Sequence, residues 1–159
     1  MKSILRTVSA IICILGLTGC AIKREVSPVA MNTEIGKIFV QKNDAVHMEG
    51  LFDELISQLR LMGYEAEGFE GAFPQDAEFV MTYTANWNWD MAMYLTYFQA
   101  NLFKNDDLIG STTYDAKMGG MRFDKFGKTA DKIRGPLEEL LKNAKPKRFS
   151  DVSPIGDAN

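Results

Sequence analysis

Hydrophobic and polar positions change period several times along this 159-residue chain, and each change marks an element. A continuous apolar run over 8–17 comes first, behind Lys2 and Arg6. It is shorter than the about 20 residues a membrane-crossing helix needs. A charged front and a small-residue end give it the layout of a secretory signal, which places a signal peptide over 1–19. Residues 20–34 follow neither a helical nor an alternating pattern and contain Pro28; they read as a tether holding a folded body clear of a surface. Lys37-Ile38-Phe39-Val40-Gln41 is a short β-rich run. After Asn43 and Asp44, both suited to cap a helix, Met48, Leu51, Phe52, Leu55, Leu59 and Met62 fall on one helical face. Gly63 supplies the left-handed position beyond that helix, with Tyr64 placed to pack back across it.

Strict alternation starts after a Gly-, Glu- and Pro-containing loop over 67–76. Phe79, Met81, Tyr83, Ala85 and Trp87 point one way, and Val80, Thr82, Thr84 and Asn86 the other. Asn88, Trp89 and Asp90 read as a turn into a second run over 91–103. The polar residues of 104–107 read as a hairpin loop and 108–114 as a third strand. Gly119-Gly120 breaks the chain before a last helical pattern over 124–144, carried by Phe126, Ala130, Ile133, Leu137, Leu140 and Leu141. Pro136 has no N–H to donate and crowds the carbonyl of Lys132, so a kink or two short helices are expected there. The segment 145–159 is Pro- and Gly-containing and reads as a flexible polar tail. The resulting β-α-β-β-β-α order predicts a single α+β domain over 35–144: a two-layer sandwich with a mostly antiparallel sheet and two helices on one face.

The apolar run ends in Leu17-Thr18-Gly19-Cys20, which resembles the lipobox of bacterial lipoproteins. That resemblance implies lipidation at Cys20, which would become the N-terminus and carry three acyl chains. Each buried methylene is worth about 0.8 kcal/mol, so such an anchor hardly leaves a bilayer. Ala21, where an Asp tends to hold lipoproteins of this kind at the inner membrane, implies the cell outer membrane with the domain facing the periplasm. The outline of elements behind the lipobox also resembles several families of small bacterial lipoproteins of uncharacterised role.

Processing changes the charge. The whole chain carries a net of −3; without Lys2 and Arg6 it has 16 basic against 21 acidic residues, a net of −5. An acidic body argues against nucleic acid as a partner. With Cys13 removed and Cys20 acylated no thiol is left for a disulfide, so the domain must rely on its core.

Both Trp residues and most of the Tyr lie between Tyr83 and Tyr97. In the second run Met93, Leu95 and Tyr97 fall on one side, and Tyr94, Phe98, Ala100 and Leu102 on the other. Both sides are apolar, whereas a two-layer fold buries only one. The strand could be central, its outer side covered by the tether or the tail. Alternatively Trp87, Trp89, Tyr94 and Tyr97 form a surface for an envelope protein partner, a homodimer or a glycan, since such rings pair large apolar area with a polar tip. A surface resting on the membrane is the third possibility.

Catalytic signatures are missing from the sequence. The one histidine, His47, stands among polar neighbours as a solvated helix residue, and Ser111 has no nearby His or nucleophile elbow. Asp106-Asp107 lacks the ligand pattern of a calcium loop. Glu138 and Glu139 against Lys142 read as ordinary helix-surface pairing. The expectation is a non-enzymatic accessory or assembly lipoprotein working through protein contacts, with no catalytic residue, metal or cofactor. The alternative is a small-ligand or cell-wall-glycan binding module using the aromatic surface.

Overall fold

The computed structural model describes residues 23–90, 92–116 and 128–147. In chain order its elements are β1 (Lys23–Ser27), β2 (Glu34–Ile35), β3 (Ile38–Gln41), α1 (Leu51–Leu61), β4 (Ala66–Phe69), β5 (Phe79–Asp90), β6 (Ala92–Lys104), β7 (Asp107–Asp115), α2 (Thr129–Leu141) and β8 (Lys145–Pro146). Six strands form one sheet in the order β1-β7-β6-β5-β3-β4, while β2 and β8 make a small parallel pair. The class is α+β. β3 lies parallel to both β4 and β5, and the remaining neighbours pair antiparallel.

Both helices cover the same sheet face. α1 packs over β4, α2 over β7, β6 and β1, and the helices touch each other. Their apolar stripes meet Ile38, Val40, Phe79, Met81, Phe98, Ala100 and Leu102 in one continuous core. Burying each large apolar side chain of this kind contributes about 1.5–3 kcal/mol. The β3–α1–β4 crossover depends on Gly68: a Cβ there would collide with the side chains of Phe52 and Ile56, so the helix lies directly on the strand.

Several expectations need correction. Of the stretch expected as a tether, the described part, 23–34, is not free: β1 pairs with β7 over its whole length, and Val29 and Ile35 are fully buried. β1 reads as a linker because it is a charged edge strand with one half-buried apolar residue, Val26. Lys145 and Pro146, placed in the tail, pair with Glu34 and Ile35; the rest of that tail, 148–159, lies outside the described residues, as do 1–22. The domain therefore extends beyond 35–144 at both ends, and its element order gains β1, β2, β4 and β8.

The first helix starts at Leu51, not at Asn43 and Asp44, because Gly50 sits at φ 84 and breaks the backbone ahead of it. Asn43 instead closes an Asx turn on the Ala45 N–H and donates from Nδ2 to the Tyr83 carbonyl at 2.8 Å. Met48 and His47 consequently lie in the preceding loop. At the far end Gly63 takes φ 90, Tyr64 N–H donates to the Leu59 carbonyl, and Gly63 N–H to the Arg60 carbonyl, a Schellman closure. Tyr64 is buried behind it. α2 is one helix running through a buried Pro136 rather than two short ones. Its expected start at 124–127, and Gly119-Gly120, lie outside the described residues. Between β6 and β7, Asn105 (φ 47) and Asp106 (φ 71) both take positive φ, the two-residue primed turn that matches strand twist.

Candidate interaction surface

The aromatic segment is part of a long hairpin rather than two strands around a turn at 88–90. β5 runs unbroken through Asn88, Trp89 and Asp90, and β6 begins at Ala92. Its neighbours are shorter. β3 pairs with only Phe79 to Met81 of β5, and β7 reaches no farther along β6 than Tyr97. Beyond that level four more pairs continue as a two-stranded ribbon: Trp87 with Leu95, Asn88 with Tyr94, Trp89 with Met93 and Asp90 with Ala92.

A bulge sets the base of this ribbon. Asn86 pairs with Tyr97 but Trp87 pairs with Leu95, leaving Thr96 as the extra residue. Its hydroxyl donates to the Asn86 carbonyl at 3.0 Å, and its carbonyl accepts from the Ala116 N–H at 2.8 Å. The bulge changes the parity of β6, so that Leu95 and Phe98 both enter the core. The simple alternation that put Leu95 opposite Phe98 is therefore wrong across residue 96.

The four aromatic candidates do not form one patch. Trp87 is half-buried and walls a cavity of about 480 Å³ with Ala45, His47, Met48, Glu49 and Met93. Its indole N–H is buried and finds no hydrogen-bond partner among the described residues. Trp89, on the same side of the ribbon, is 69% exposed, and its cross-strand neighbour Met93 is 58% exposed. The ring of Tyr94 stands 5.9 Å from the Nζ of Lys132 on α2. Tyr97 belongs to the sheet face without helices, where its hydroxyl donates to Gln99 at 2.9 Å. Met93 is the surface residue missed from sequence; a methionine in a strand is ordinarily core, and only its pairing with Trp89 beyond the neighbouring strands reveals it. Cys20 lies outside the described residues.

The helix-free face is mostly polar and uncharged. Its rows run Thr82, Asn101, Ser111 and then Thr84, Gln99, Thr113. Toward the primed turn it becomes apolar, with Phe39, Val80, Phe103 and Leu108 aligned across four strands. The outer side of β6 is thus neither covered by β1, which pairs at the sheet edge, nor strongly apolar along its length. Both edges are blunted against strand addition. β1 carries Lys23, Arg24 and Glu25, and at β4 the Arg60 guanidinium holds the Ala66 carbonyl by two hydrogen bonds of 2.9 and 2.7 Å.

A second hollow, about 620 Å³, opens at the carboxyl end of β3. Lys42, Asn43, Asp44, His47, Glu49, Asp53, Glu70 and Tyr83 line it. Lys42 is engaged by Glu70, and that hydrogen bond holds its ammonium pKa above the usual lysine value. Burial pushes the Tyr83 hydroxyl up as well, against a lowering hydrogen bond from the Asn43 backbone. Acidic residues in the first turn of α1, Asp53 and Glu54, occupy the position where a helix start would otherwise favour an anion. This hollow is suited to neutral polar or cationic groups. Among the described residues no three His, Cys, Asp or Glu side chains are grouped to hold a metal ion.

No protein-family model matches the chain, and no curated protein matches it in sequence. Its fold is similar to solved structures of the PelC dodecamer from Paraburkholderia phytofirmans. One, in space group P6, aligns with a TM-score of 0.51 at 10% identity, covering 79% of this chain and 99% of that one. A point variant in space group C2 aligns with a TM-score of 0.49 at 13% identity and the same coverage. At such identities the similarity is one of fold.

Proposed function

We propose that this chain is a lipoprotein of the bacterial outer membrane, lipidated at Cys20 with its α+β domain facing the periplasm. It acts without catalysis, as an accessory or assembly component of the cell envelope, through contacts with copies of itself and with an envelope protein. The observation that carries this reading is the lipobox Leu17-Thr18-Gly19-Cys20 in front of a domain that begins almost at once. Self-assembly draws support from the PelC-like fold, since the chain it resembles was solved as a dodecamer. The blunted edges argue that copies meet through faces or the hairpin rather than by extending the sheet.

Two measurements test it. Cys20→Ser is expected to move the protein from the membrane to the soluble periplasmic fraction; unchanged fractionation would contradict the anchor. Native mass spectrometry of the detergent-solubilised wild type is expected to show a homo-oligomer, and a monomer at all concentrations would contradict self-assembly. A glycan or small-ligand module is the second reading, favoured by the hollows on either side of His47 and by the unpartnered Trp87 indole. Trp fluorescence that changes saturably with muropeptides would put it ahead.

A further inference from the structure

The position of β1 fixes how far the domain can stand from the residue read as lipidated. Lys23 pairs with Asp115, Asp115 with Tyr97, and Tyr97 with Asn86, so all four lie at one level of the sheet. β1 runs from that level away from the hairpin tip. Only Ala21 and Ile22 separate Cys20 from Lys23. At roughly 3.3–3.6 Å per residue, Cys20 reaches no more than about 11 Å beyond Lys23.

The hairpin crosses the same distance in the same direction. Trp89 and Met93 lie three pairs past the Asn86–Tyr97 level, which at about 3.3–3.4 Å per residue is about 10 Å. A leash of at most that length keeps the end of the ribbon within reach of the surface that would hold Cys20. At the end of the ribbon stand the two most exposed large apolar side chains among the hairpin's described residues, Trp89 and Met93.

We infer that the β5–β6 tip rests in the lipid headgroup layer beside the anchor, with Trp89 and Met93 as its contact residues. This deepens the lipoprotein reading and rests on it. The chemistry suits an interface rather than the hydrocarbon core: an indole pairs apolar area with a polar N–H, while the exposed Asn88 alternates with it and limits the depth. Lys23, exposed at the base of the leash, adds a positive charge that anionic headgroups attract. Acyl chains alone would leave the domain free to pivot; a second contact stands the strands upright on the bilayer. The turn at Asn105 and Asp106 and the exposed Leu108 then lie at the far end, eleven strand residues from Met93 to Lys104 away, or about 36 Å.

The test uses the acylated protein purified from membranes, reconstituted in phosphatidylethanolamine–phosphatidylglycerol vesicles with and without brominated phosphatidylcholine. The chain has two Trp residues, so Trp87→Phe leaves Trp89 as the single reporter. Its emission is expected to shift to the blue and lose most of its intensity on brominated lipid. In Trp87→Phe/Trp89→Phe/Leu108→Trp the reporter at the far end is expected to stay unquenched. Should Trp87→Phe fail to fold, the difference between wild type and Trp89→Phe gives the same reading. Acylated protein whose Trp89 stays unquenched overturns the inference and leaves the anchor standing. A blue shift without quenching, which marks burial against a second copy, overturns it too, and so does equal quenching at Leu108→Trp. A reporter protein without acyl mass overturns both the anchor and the contact built on it.

Discussion

The two ends of one hairpin behave differently although the sequence pattern barely changes between them. In its lower part, Phe79, Met81, Tyr83 and Ala85 alternate with Val80, Thr82 and Thr84 and are at most 5% exposed. In its upper part the alternation goes on through Trp87 and Trp89, yet exposure climbs until Trp89 stands mostly in water. The difference is in the neighbours. Below, helices cover one face and β3 and β7 flank the strands; above, among the described residues, two strands continue without a flanking strand. A two-stranded ribbon has little to gain from an apolar side unless something outside the domain meets it. The comparison teaches that alternation specifies a strand and its sides, but not where the core ends.

That contrast can be broken most severely in the lower part. Phe98→Ala removes a fully buried ring facing α2 and should cost about 3–5 kcal/mol in denaturant unfolding. At the crossover, Gly68→Val drives methyls into Phe52 and Ile56 and should cost about 1–3 kcal/mol or displace α1. Asn43→Ala loses the bonds to Ala45 and Tyr83 and should cost about 1 kcal/mol, freeing the loop that walls both hollows. In the upper part, Trp89→Ala should change stability by no more than about 0.5 kcal/mol. A cost as large as that of Phe98→Ala would show the tip to be core and end the contrast.

How much of this was legible follows from which residues face the core. α1, β5, β7 and the Gly63 closure were readable because one clear stripe or alternation specified each. β4 was hidden because Glu67 points out and Gly68 has no side chain to signal burial. β1 was mistaken for a tether because an edge strand protects itself with charge. The start of α1 was misplaced because Asn43 caps a turn instead of a helix, and left-handed Gly50 is silent in a periodicity argument. Among the site candidates, exposure of Trp89 was one of the alternatives the sequence left open, and simple alternation already set Tyr94 and Tyr97 on opposite sides. What alternation could not show is that Leu95 joins Phe98 in the core, because the Thr96 bulge that shifts the register has no sequence signature.

A smaller effect sharpens the same picture through pH. Burial raises the hydroxyl pKa of Tyr64 and Tyr83 above the ordinary value of 10.0. Their neutral forms contribute stability that is full below that value and is lost as pH rises through the higher folded pKa. Absorbance titration should therefore show Tyr64 and Tyr83 ionising above 10.0 in the folded protein and returning toward that value on unfolding.

The claim on which everything else stands is that the mature chain starts at an acylated Cys20, on a leash too short to let the domain leave the surface. Mass spectrometry of the trypsin-released N-terminal peptide from the membrane fraction tests it directly. The account requires Cys20-Ala21-Ile22-Lys23 carrying the mass of thioether-linked diacylglycerol and an amide-linked acyl chain. A free thiol at Cys20, or a mature chain that retains residues ahead of it, would contradict the account.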